Sequence, residues 1–110
     1  MSTKPNPRKS TEIDIDAIHK ALANPARRVI LAKLREPEKY FPEQELSYEH
    51  GVCAGQFDDC CSLSQSTVSA HLATLQRAGL ITSKRVGQWV FFKRNEAVID
   101  AFLAHMNADL

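Results

Sequence analysis

Between Ile13 and Ala23 the apolar residues Ile15, Ile18 and Leu22 recur at three- and four-residue intervals. This spacing predicts a first amphipathic helix, with Asp14 and Asp16 near its positive N-terminal end. Asn24-Pro25 then closes one helix and opens the next, because Asn can cap and Pro suits a first helical turn where its missing N–H is no loss. The second helix carries Val29, Ile30, Leu31 and Leu34 inward, exposes Arg27, Arg28 and Arg35, and stops before Pro37. From Pro37 to Gly51 the periodicity fails. This polar, acidic stretch with anchors at Tyr40, Phe41, Leu46 and Tyr48 predicts a loop with at most one turn of helix.

Val52 and Cys53 are β-prone enough for a very short strand, and Ala54 to Ser62 has the apolar spacing of a short third helix. Leu63 falls in a turn. Ser64 is a good N-cap for a fourth helix, where Val68, Leu72 and Leu75 share a face until Gly79 ends it. Beyond Leu80 the period drops from 3.6 to 2, and two β-rich runs, 81–86 and 89–93, flank Gly87-Gln88 as a hairpin. Asn95 can cap a last helix with a broad apolar stripe of Val98, Ile99, Phe102, Leu103 and Met106. Residues 1–10, rich in Pro, Lys and Ser without a large aliphatic core residue, read as a disordered basic arm, leaving 11–110 as the folded unit.

The chain has 110 residues, of which 44% are hydrophobic and 25% charged, room for one domain and one core. The start lacks the apolar stretch of a signal peptide and no run is long enough to span a bilayer, so we expect a cytoplasmic protein without a membrane partner. Three cysteines, Cys53, Cys60 and Cys61, cannot close a disulfide framework and suit a reducing compartment.

Net charge is only +1, but its distribution is uneven. Glu36 to Asp59 holds seven acids against one base, net −6, whereas Ser62 to Arg94 holds five bases and no acid. That basic half coincides with the fourth helix and the hairpin, the order of a mainly helical, winged helix-turn-helix domain. With Val68, Leu72 and Leu75 inward, Gln65, Ser66, Thr67, Ser69, Ala70 and Thr74 lie outward towards the helix N-terminus, with His71 beside them. Gln can bridge an adenine edge, hydroxyls can meet bases or phosphates, and small residues allow close approach to a major groove. Lys84 and Arg85 on one hairpin strand and Lys93 and Arg94 on the other would hold flanking phosphates. Any one of these residues alone also fits an ordinary solvated surface; the expectation of double-stranded DNA as partner rests on their combination.

The run Ala21-Leu22-Ala23-Asn24-Pro25-Ala26-Arg27-Arg28-Val29-Ile30-Leu31 resembles the helix junction of ArsR-type winged-helix repressors. Leu63-Ser64-Gln65-Ser66-Thr67-Val68-Ser69-Ala70-His71-Leu72, with Ala78-Gly79-Leu80, resembles their recognition helix, and Arg85 to Phe92 resembles their wing. The resemblance spans roughly residues 13–106 and leaves the acidic loop 37–51 uncovered. It implies a homodimer joined through the first and last helices, here Ile15, Ile18 and Leu22 with Val98, Ile99, Phe102, Leu103 and Met106. It further implies an inverted-repeat operator, released when a signal is sensed.

The signal is where this chain departs from the family. Cys53 matches the first cysteine of the arsenite-responsive pair, but Gly55 takes the place of the second, and Asp100, Phe102 and His105 do not reproduce the ligands of the zinc-responsive members. His50, Cys53, Cys60 and Cys61 form a different set of soft donors that could surround zinc or arsenite. Packing roles for Cys60 and Cys61, a thiol switch at Cys53, or a zinc-bound interaction module are the competing readings. Asp58 and Asp59 beside the thiols would disfavour thiolate, which weakens a reactive role. Nothing calls for a cofactor. No Ser-His-Asp set, phosphate loop or paired acid supports an enzyme.

Overall fold

The computed structural model describes residues 12–59 and 62–110. The expected N-terminal arm and both Cys60 and Cys61 therefore lie outside the described residues.

Local chemistry sets the helix ends. Helix α1 (Ile15–Leu22) starts where the Asp14 carboxylate accepts from the Ala17 N–H. Helix α2 (Pro25–Lys33) starts where Asn24 Oδ1 accepts from Ala26 N at 2.8 Å and Arg27 N at 3.2 Å, with Pro25 in the first turn. Helix α4 (Gln65–Arg77) is capped by Ser64 Oγ, which accepts from Thr67 N. Its other end is a Schellman closure: Gly79 at φ +83° lets its own N–H reach Gln76 O and the Leu80 N–H reach Leu75 O. That closure drops Leu80, 1% exposed, into the core at the start of the hairpin. Helix α5 (Glu96–Asp109) is capped by Asn95, whose Oδ1 accepts from Val98 N.

The 37–51 segment holds one turn of helix, α3 (Pro37–Tyr40), and a 3₁₀ turn at Tyr48–His50. Of its expected anchors only Phe41 is buried; Tyr48 is half-buried and donates its hydroxyl to Phe41 O, while Tyr40 and Leu46 are exposed. The third helix is a 3₁₀ segment, Ala54–Asp59, instead of an α-helix. Ala54 and Phe57 are three apart, the repeat of a 3₁₀ turn, and that geometry puts Phe57, 1% exposed, against Phe41 and Phe92.

Strands β2 (Ile81–Val86) and β3 (Trp89–Arg94) form the hairpin in full register, Ile81 opposite Arg94 and Val86 opposite Trp89. The short strand β1 (Val52–Cys53) adds to the free edge of β3, giving the antiparallel order β1-β3-β2. Gly51 makes this junction possible. Its φ is +108°, and a Cβ built there would fall 2.1 Å from Phe92 O, so no other residue fits without moving the strand. The core lies between α1, α2, α4, α5 and the inner sheet face, with Ile18, Ile30, Leu75, Leu80 and Ile81 almost fully enclosed.

Candidate nucleic-acid interface

Burying Val68, Leu72 and Leu75 turns the opposite side of α4 to solvent. Gln65, Ser66, Ser69 and Ala70 are exposed there, and the side chains of Gln65 and Ser69 bond to no described residue. Thr67 and Thr74, half-buried, are already engaged. Thr67 Oγ1 accepts from Ser64 Oγ at 2.8 Å, and Thr74 Oγ1 donates to Ala70 O at 3.1 Å while Arg77 approaches it at 3.4 Å. The expected reading residues thus divide into a free set, Gln65, Ser69 and Ala70, the exposed Ser66, whose Oγ lies 3.3 Å from Ser64 Oγ, and a set that shapes the helix.

His71 belongs to the second set. Its Nδ1 is 3.3 Å from Arg27 Nη1, and because a guanidinium only donates, Nδ1 is the acceptor in this contact. Arg27 also donates through Nε to Ala21 O and through Nη2 to Lys20 O, so one side chain closes the C-terminal turn of α1 and fixes α4 against it. Sequence reading took Arg27 for an exposed base; its value comes from tertiary contacts that spacing does not reveal.

The four hairpin cations also divide. Lys84 and Arg85 are exposed on β2, in the half of the hairpin nearer its turn. Lys93 and Arg94 sit at the base, opposite Thr82 and Ile81. Lys93 is exposed and its Nζ donates to Glu49 O at 3.1 Å. Arg94 departs from the expected phosphate role: its side chain is 13% exposed, donates to Leu31 O at the end of α2, and forms a two-pronged pair with Glu96 at 2.7 and 3.3 Å. That pair holds the Glu96 carboxyl below the usual carboxylate range, the bond from Arg94 outweighing partial burial. Three of the five N–H donors of this guanidinium are thereby held within the chain. The wing is tied to α4 by Gln76 Nε2, which donates to Ser83 Oγ at 3.0 Å.

The α1 and α5 residues expected at a dimer interface separate in the same way. Ile18, Val98, Ile99 and Phe102 are buried within the single chain, and the His19 ring stands edge-on to Phe102 at 5.4 Å. Ile15, Leu22 and Met106 are half-buried, and Leu103 is 57% exposed. Among the described residues no group of three or more His, Cys, Asp or Glu is placed to hold a metal. The His50 ring lies tilted against Phe91 with centroids 5.8 Å apart, and Cys53 is buried. No helix among the described residues is long and apolar enough to cross a membrane.

A helix-turn-helix domain family model matches residues 22–84, from the end of α1 to the middle of the wing. The chain is 40% identical over 84 residues to an uncharacterized HTH-type transcriptional regulator, YbzH, of Bacillus subtilis, covering 74% of this chain and 84% of that one. It is 34% identical over 61 residues to the arsenic resistance transcriptional regulator ArsR1 of Pseudomonas putida; the match takes in 53% of this chain and about half of that relative, 48%. An ArsR-like transcriptional regulator from Rhodococcus sp. RHA1 shares the fold with a TM-score of 0.65 at 19% identity, over 86% of this chain and 76% of that structure. The mainly helical, winged architecture, the capped fourth helix and these matches agree: the chain belongs to the ArsR family of helix-turn-helix transcriptional regulators, DNA-binding proteins and not enzymes.

Proposed function

We propose that the chain is a cytoplasmic repressor that binds an inverted-repeat operator as a homodimer. The observation that carries this reading is that unengaged Gln65 and Ser69 are exposed on α4, and that the wing bonded to this helix through Gln76 and Ser83 carries exposed, unengaged Lys84 and Arg85. No acid occurs from Ser62 to Arg94, which favours phosphate along the helix and wing, although Asp58 lines a recess with Gln65 and Ser69. The N-terminal half of α4 enters the major groove, Gln65 and Ser69 meet base edges, Ser66 and Ala70 allow close approach, and the wing positions the domain without reading sequence. The half-exposed strip of Ile15, Leu22, Leu103 and Met106 joins two copies, while Ile18, Val98, Ile99 and Phe102 support it from within.

Hydroxyl-radical footprinting on DNA upstream of the chain's own gene tests this. Two protected patches about one helical turn apart, about 34 Å, with two chains per site by sedimentation, are the expected result. A single patch bound by one chain would overturn the dimeric reading.

A further inference from the structure

The acidic loop of residues 37–51 builds a recess on the face of the sheet opposite the core. A cleft of about 330 Å³ lies between loop residues Glu43, Glu45 and Leu46 and the sheet residues Cys53 and Trp89, with the neutral amide of Gln56 also in its lining. This is the lower end of the size range of small-molecule sites, about 300 Å³ upward. The wall is fixed in place by Gln44. This amide is 8% exposed; its Nε2 donates to the carbonyls of Leu46, Ser47 and Gly51 at 3.2 Å, and its Oε1 accepts from Cys53 N at 2.8 Å. A loop bound through one buried side chain to the outer edge of β1 is preformed, so a ligand does not have to order it.

The chemistry of the cleft is one-sided. Trp89, 43% exposed and the chain's only tryptophan, contributes its indole to the lining. Leu46 and the Cys53 thiol are apolar neighbours. Both carboxylates at the rim lack an ion-pair partner among the described residues. An aromatic face with apolar flanks and two unneutralised acids is complementary to a cation that carries an apolar body, and repels anions.

We propose that this cleft binds a small amphipathic organic cation, a protonated or quaternary amine. The cleft also has a route to the wing. Cys53 and Lys84 are both cross-strand partners of Phe91, so a row on one sheet face runs from the cleft to a cation of the DNA-facing hairpin. An occupant that shifts this row acts as an effector of DNA binding, a consequence that rests on the function proposed above; the binding step does not.

Benzyltrimethylammonium serves as the probe, with phenylacetate and benzyl alcohol of similar size as anionic and neutral controls. Titrated into the full chain without DNA, the cation should change Trp89 fluorescence saturably. Glu43→Gln/Glu45→Gln should weaken its binding at least tenfold, and Glu43→Asp/Glu45→Asp should retain most of it. No saturable change, equal binding of phenylacetate, or indifference to the Gln pair would each overturn the site. In a second arm, saturating cation should change duplex affinity at least threefold in gel shifts of the unaltered chain and not of the Gln pair. Unchanged duplex affinity with the cation bound would overturn the effector role alone, and absence of any duplex binding would instead count against the function proposed above.

Discussion

Arg27 Nη1 lies 3.3 Å from His71 Nδ1, across 44 residues of sequence, while the rest of the same guanidinium binds the last carbonyls of α1. This side chain links α4 to the end of α1, beside the core packing of Val68, Leu72 and Leu75. Truncating it removes a donor from Ala21 O and from an imidazole nitrogen, while Lys20 O keeps the Ala23 N–H. Arg27→Ala should lower the unfolding free energy by about 1–3 kcal/mol in urea denaturation. His71→Ala should cost less, and a double-mutant cycle should return a coupling of at least about 0.5 kcal/mol. Independent, additive effects would remove His71 from this positioning role.

Arg94 and Lys84 should behave as different kinds of cation. Arg94→Ala breaks a partly buried pair and a bond to Leu31 O, so it should act on stability. Because the Glu96 carboxyl is held below its ordinary value of 4.5, the pair stabilises the fold above that pH, and the contribution disappears as pH falls through the lowered value. Urea midpoints measured against pH should therefore fall on acidification, and Glu96→Gln should flatten that limb. An equally steep acid limb in Glu96→Gln would assign it to other carboxylates.

Helix boundaries and the hairpin were legible because they are written in local chemistry: Asn24-Pro25, Ser64, Gly79 and Asn95 act on neighbours a few residues away. What spacing could not show was engagement. Arg27, Arg94, Thr67 and His71 look like free polar residues in sequence, and only tertiary placement commits them to partners. The pairing of β1 with β3 was hidden for a related reason, since a two-residue strand carries almost no periodicity and its partner lies some forty residues on. Gln44 gave no signal at all, although the strict positive φ of Gly51 beside Val52 is the kind of glycine that marks a close backbone approach.

That approach is directly testable. Gly51→Ala would place a methyl 2.1 Å from Phe92 O at a φ that L-residues avoid, and should destabilise by on the order of 2 kcal/mol or more. Gln44→Ala, which strands the Cys53 N–H at a buried edge, should cost about 1–3 kcal/mol. Thermal or urea unfolding of both variants checks this; wild-type stability in either would mean the loop is not held as described.

Self-association should respond to the surface and not the core. Leu103→Arg places a charge on the most exposed apolar position of α5 and should yield folded monomers in sedimentation velocity, with weakened duplex binding. Ile18→Ala should instead lose about 2–5 kcal/mol of stability, because that side chain is already enclosed in one chain. A Leu103→Arg protein that remains dimeric would move the interface elsewhere.

The most direct test of the central claim is gel-shift affinity for the upstream duplex and a scrambled one, measured across salt concentrations. Gln65→Ala and Ser69→Ala should each lose about 1–3 kcal/mol on the upstream duplex and little on the scrambled one, keeping the wild-type salt slope. Lys84→Ala and Arg85→Ala should weaken both duplexes alike and each reduce the slope by about one. Affinity that ignores salt and is unchanged in all four variants would contradict the assignment of α4 and the wing as the DNA-binding surface.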